Sequence, residues 1–161
     1  MQTVKVKSRS KVESQEFAPG DYYVGDPCYV LTRPQWDAVL KQCIDDTNQC
    51  YDGEFIVNCE RMFMASTAYG DGGYRDNIGN EYGVDSGTLG VVPVSILNPQ
   101  VLKKAIDDKL GIVKTMNSPF IAMSDNGVFE LVSISDKYYL LELLINTRDE
   151  FNDSEYEPDD Y

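Results

Sequence analysis

The chain has 161 residues, enough for one domain with a real core, and its 42% apolar fraction is that of an ordinary globule, not a disordered protein. It carries 27 Asp and Glu against 14 Lys and Arg and no histidine, for a net charge of −13. That balance argues against direct binding to nucleic acid or an anionic membrane, removes the commonest general base, and favours protein partners with basic surfaces.

The first twelve residues hold Lys5, Lys7, Arg9 and Lys11 and no acid. Val4 and Val6 alternate with these bases, which suits an edge strand or arm protected by charge. The start Met1-Gln2-Thr3-Val4-Lys5 has no signal-peptide apolar core, and no run is long enough to span a membrane, so a cytoplasmic location is expected.

Residues 13–147 form the expected single domain. Phe17 to Leu31 reads as a strand interrupted at Gly25-Asp26-Pro27. Thr32 opens a helix with Pro34 in its first turn and Gln35 completing a capping box. Trp36, Val39, Leu40, Cys43 and Ile44 then fall on one face, and Asp45-Asp46-Thr47-Asn48 ends the helix. Strands are expected near 54–58 and 62–68, followed by a long glycine-rich loop from Gly70 to Gly90. Val91 to Leu97 reads as a strand. Asn98-Pro99 caps a second helix over 100–110 that Gly111 stops, with Val101, Leu102, Ala105 and Ile106 as its buried stripe. The last third, 112–116, 120–123, 128–133 and 138–146, reads as a β meander with turns at Asp125-Asn126-Gly127 and Ser135-Asp136-Lys137. The class that fits is α+β, a mainly antiparallel β-sheet with two amphipathic helices packed on it.

The acidic tail, 148–161, sets seven acids against Arg148 and interleaves them with aromatics. Glu155, Tyr156, Glu157, Asp159, Asp160 and Tyr161 form a segment able to dock into a basic groove, or simply to keep the protein in solution. Three Asp-bearing loops are the other candidates: Asp26 with Tyr29, Asp71 between Tyr69 and Tyr74, and Asp85. Together they could form a ligand pocket rimmed by Tyr29, Tyr69 and Tyr74; the plain reading is that their Asp and Gly are turn residues, and convergence of the loops fits either. From Asp71 the calcium-loop pattern fails, since Gly73 and Arg75 stand where oxygen ligands belong. Without His, Cys28 has no base to hold a thiolate, so a structural thiol is the better reading. Nor is there a C-x-x-C pair, a Walker loop or a dinucleotide fingerprint, so neither a metal centre nor a cofactor is expected. Paired carboxylates leave a metal-dependent hydrolase as a further alternative.

The segments Tyr-Val-Gly-Asp-Pro-Cys-Tyr-Val at 23–30, Ser-Thr-Ala-Tyr-Gly-Asp-Gly at 66–72 and Gly-Val-Asp-Ser-Gly at 83–87 resemble those of small uncharacterised tailed-phage and bacterial proteins. Length, acidity and the lack of histidine are similar to small early proteins of T-even phages that disable host machinery, one of which inhibits the ATP-dependent Lon protease. The resemblance implies a non-catalytic inhibitor whose partner is a host protein with a basic surface, such as an AAA+ protease. A small-ligand binder built on the Gly/Asp-rich loops is the alternative.

Overall fold

The structure, a computed structural model, describes residues 12–45, 52–136 and 138–148. The expected strand at Val4 and Val6, Cys50, the segment ending the first helix at 46–48, and all six tail candidates from Glu155 to Tyr161 lie outside the described residues.

Eleven strands and two helices are described: β1 (Val12–Phe17), β2 (Gly20–Gly25), α1 (Arg33–Asp45), β3 (Gly53–Val57), β4 (Glu60–Ser66), β5 (Gly72–Arg75), β6 (Glu81–Val84), β7 (Thr88–Pro93), α2 (Pro99–Asp107), β8 (Gly111–Met116), β9 (Phe120–Asp125), β10 (Val128–Ser135) and β11 (Tyr138–Asn146). They make a four-stranded sheet in the order β1-β9-β10-β11, a five-stranded sheet in the order β3-β4-β7-β2-β8, and the β5-β6 hairpin. Every strand pair is antiparallel. With two amphipathic helices, this is the expected α+β class.

The alternation along β2 and β4 explains the layering. Tyr22 and Val24 point to one side with Phe63 and Ala65, into a core shared with Phe17, Phe120, Leu131 and Leu143 of the four-stranded sheet. Tyr23, Met62 and Met64 point to the other side, into a second core with Val39 and Cys43 of α1 and Ala105 of α2. The five-stranded sheet is therefore sandwiched between the other sheet and the helices. Its inner strands, buried on both faces, read as unbroken apolar runs for that reason. In the first core the rings of Phe17, Tyr22 and Phe120 meet at centroid distances of 5.4, 5.6 and 4.9 Å. Burying each such ring stabilises by roughly 1.5–3 kcal/mol.

The capping box forms as expected: Thr32 N–H donates to Gln35 Oε1 at 2.8 Å, and Gln35 N–H donates to Thr32 Oγ1 at 3.4 Å. Asn98 caps α2 through Gln100 N–H and Val101 N–H.

Five readings need correction, the first being the strand expected over 91–97, which instead runs Thr88–Pro93 and gives way to a 3-10 turn over Val94–Ile96. The strand expected from Phe17 to Leu31 is two, β1 ending at Phe17 and β2 ending at Gly25, where Pro27–Tyr29 turns as a 3-10 helix. The loop expected from Gly70 to Gly90 contains the β5-β6 hairpin. Its turn is shaped by the buried Asp76, which accepts from the Ile78 and Asn80 amides, the Asn80 side chain and the Tyr82 hydroxyl. Burial opposes the charge on Asp76, but these hydrogen bonds outweigh it and hold the carboxyl below the usual range. The second helix ends at Asp107, not at Gly111; the residue with positive φ after it is Lys109, at 60°. Finally, 112–116 is not part of the meander, because β8 crosses to pair with β2 in the other sheet.

Gly111 is instead a packing residue. A Cβ there would lie 2.6 Å from Val24 O and 2.7 Å from the Tyr23 ring. Gly111→Ala is expected to cost about 1–3 kcal/mol by overpacking, read as a lower urea midpoint at unchanged slope. A midpoint equal to wild type would contradict this packing.

Candidate functional site

The three Asp-bearing loops converge at the ends of the neighbouring strands β2, β4 and β7, and Asp26 ties two of them together. It follows the last residue of β2 and caps the Pro27–Tyr29 turn, with Oδ1 accepting from Cys28 N–H at 2.9 Å. The same carboxylate reaches the loop between β6 and β7. Oδ2 accepts from the Asp85 and Ser86 amides at 2.6 and 2.7 Å, and Oδ1 also accepts from Ser86 Oγ at 2.8 Å. Asp26 is fully buried. A buried carboxylate is tolerable only when its lone pairs are satisfied, and four hydrogen bonds do so here. A further hydroxyl contact, Ser86 Oγ to Thr88 Oγ1 at 2.7 Å, carries the network to the base of β7.

The Asp71 loop closes over the same point. Thr67 N–H donates to Gly87 O at 3.0 Å, and Thr67 Oγ1 donates to Gly70 O at 2.7 Å. A Cβ on Gly87 would sit 3.9 Å from Asp71 Oδ1. The Cys28 thiol is pushed well above its ordinary value, first by burial, then by Asp26 and by the charges of Asp85 and Asp71. It is a protonated thiol at neutral pH, the state of a packing residue and not of a nucleophile. Burial, Asp85 and the neighbouring groups also raise Tyr29.

The sequence candidates therefore divide. Asp26 holds the loops together, with both oxygens engaged inside the protein. Tyr74 is buried, its hydroxyl donating to Gly70 O at 2.9 Å, so it supports the Asp71 loop from below instead of rimming a pocket. Tyr29 is half-buried, Tyr69 is exposed, and Asp71 and Asp85 are exposed at the mouth. Among the described residues neither the Asp71 nor the Asp85 carboxylate has a hydrogen-bond or ion-pair partner.

Beside Asp85 lies an open cleft of about 490 Å³, lined by Cys28, Trp36, Leu40, Ser66, Ser86 and Thr88 among others. Trp36 and Leu40 were legible only as the apolar face of α1. Both are half-buried where that face runs past the edge of the core, and an i, i+4 pattern does not show where its covering layer stops. Ser86 binds Asp26 through both its amide and its hydroxyl, a role no sequence motif announces. Among the described residues no group of three or more His, Cys, Asp or Glu is placed to hold a metal ion. Nor does any helix there have the length and apolarity to cross a membrane.

A second feature escaped the alternation rule. Tyr138, Tyr139, Leu140 and Leu141, at the start of β11, are 70%, 73%, 61% and 45% exposed. Four consecutive apolar residues in an edge strand are the signal that was available.

Comparison with protein-family models, with curated proteins and with solved structures finds no match for the chain.

Truncation separates the roles of the two carboxylates. Asp26→Ala strands the Cys28, Asp85 and Ser86 amides and is expected to cost about 3 kcal/mol or more, whereas Asp85→Ala stays within about 0.5 kcal/mol of wild type. Denaturant titration of both variants checks this; equal losses would refute the division.

Proposed function

We propose that this chain is a non-catalytic phage protein that binds and inhibits a host enzyme, with the ATP-dependent Lon (AAA+) protease as the concrete target, acting in the host cytoplasm. The observation that carries the reading is how charge is distributed over the folded body. Arg33, Arg61, Arg75, Lys103, Lys104 and Lys114 each lie within 4.0 Å of a carboxylate. With so many bases neutralised locally, the excess acid stands as unpaired negative surface, and Asp71 and Asp85 are part of it. Such a surface steers association with basic loops of a partner and loses strength as salt rises. The double-sided packing of the central sheet supports the same reading, because a body this interlocked resists the mechanical unfolding an AAA+ protease applies. The raised Cys28 pKa and the internal engagement of Asp26 supply no nucleophile or base.

The purified chain is expected to suppress the ATPase and peptidase activity of Lon, and ending it at Thr147 is expected to weaken that inhibition. Moving from low to physiological salt is expected to lower the affinity several-fold, corresponding to a few surface charge pairs. No inhibition at low salt would end the Lon reading, and inhibition indifferent to salt would end its electrostatic basis.

One observation favours a second reading: the three loops meet beside a cleft of about 490 Å³ with Trp36 on its wall and the Asp85 carboxylate at its rim. That combination suits a small cationic ligand, through charge and an aromatic face. A panel of amines and guanidines is expected to raise the melting temperature of wild type and not of Asp71→Ala or Asp85→Ala. Equal shifts in all three proteins would reject the cleft as the site.

A further inference from the structure

We propose that the free edge of β11 is a self-association surface, pairing antiparallel with the same edge of a second copy of this chain.

Unpaired strand edges are ordinarily blunted, and two others in this protein are. On β3, the Gln42 side chain donates to Ile56 O at 2.8 Å and accepts from Ile56 N–H at 2.9 Å. On β1, Arg61 Nη2 donates to Glu16 O. The end of β11 is covered in the same way: Asn77 N–H donates to Leu144 O at 2.9 Å, Leu144 N–H donates to Asn77 Oδ1 at 3.0 Å, and Asp76 bridges to Ile145. The cover stops there. From Tyr138 to Leu141 β11 is the outermost strand, and among the described residues no other strand lies on its open side.

This stretch is apolar on both faces. Leu141 stands opposite Val132 and Tyr139 opposite Ile134 on the outer face of the sheet, while Tyr138 and Leu140 follow the opposite parity. The register shift between Leu131 and Val132 leaves Glu142 as the extra residue of the bulge. Its carboxylate lies 3.6 Å from Lys114 Nζ and accepts from Ser133 Oγ at 2.9 Å. The one acid in β11 is thus neutralised by its own protein, and the strip beside it is uncharged. On a chain of net charge −13, that is where a like-charged copy can approach.

An antiparallel strand edge is complementary to itself about a two-fold axis, so the same few residues supply both halves of the ladder. With the axis at Leu140, Tyr139 of one copy meets Leu141 of the other, and Leu140 meets its counterpart. The four exposed side chains alternate between the two faces of the sheet, so each meets its counterpart along its flank and the backbone ladder carries the rest of the contact. Residue 148 lies eight positions from the axis, so at about 3.3 Å per residue the two copies of Arg148 lie roughly 50 Å apart, well beyond screening length.

Light scattering on the full chain at micromolar concentration and physiological salt tests this. The expected mass is twice the 18.1 kDa of one chain, with the dimer weakening at low salt as like charges become unscreened, opposite to the salt dependence of a basic partner. Tyr139→Lys combined with Leu140→Lys is expected to give the single-chain mass with an unchanged melting temperature. Because that variant could disturb folding, Leu140→Cys supplies an independent readout, a disulfide joining residue 140 of two copies on mild oxidation, mapped by mass spectrometry. A wild-type mass of 18.1 kDa, a dimer that survives the double substitution, or absence of the 140–140 disulfide would each overturn the proposal.

Discussion

The carboxylate of Asp26 is the constraint on which the functional end of this protein depends. Three chain segments far apart in sequence, at 25–29, 66–72 and 83–88, lie at the ends of the neighbouring strands β2, β4 and β7, and one buried side chain ties two of them together while the third hydrogen-bonds across the result. Each hydrogen bond to this buried carboxyl satisfies a group that would be costly to leave unpaired in the interior. A single Asp thus does the organising that a disulfide or metal performs in smaller domains. The cost is that Asp26 has nothing left to offer a ligand.

A second constraint is the use of both faces of one sheet. Tyr22 and Tyr23 are neighbours in sequence, yet they belong to different cores, one against the four-stranded sheet and one against the helices. Shifting β2 by one residue would exchange every such assignment, so its register is strongly specified. Close approach follows from the same crowding. Gly90 and Gly111 sit where a methyl would strike backbone carbonyls of neighbouring strands, so these glycines serve packing and not turning.

What could be read from the residues alone follows from which signals are local. The capping box at Thr32 and Gln35, the Asn98 cap and the turn at Asn126-Gly127 each rest on contacts within a few positions, and each stands where expected. The β5-β6 hairpin was missed because its turn is organised by the Asp76 side chain, while the surrounding glycines read as loop. Asn58 and Cys59 turn between β3 and β4 with φ of 52° and 66°, and cysteine carries no expectation of that conformation. The crossing of β8 to the other sheet rests on its contact with β2, more than eighty residues away, which no window reveals. For the three loops, the residues alone do not show that the Asp26 carboxylate is engaged inside the protein while those of Asp71 and Asp85 are exposed. Asp26, the most conspicuous carboxylate, is structural, and the exposed apolar run on β11 carried no motif at all.

These constraints give the protein an acidic body locked from within, with its bases largely spoken for and one uncharged strand edge left open. Asp26 joins the loops as part of the cooperative core, and native-state hydrogen exchange reads this directly. The Asp85 and Ser86 amides, though they lie in a surface loop, are expected to exchange as slowly as those of β2, opening only with global unfolding. Exchange of those two amides at the rate of the exposed Tyr69 loop would contradict the account.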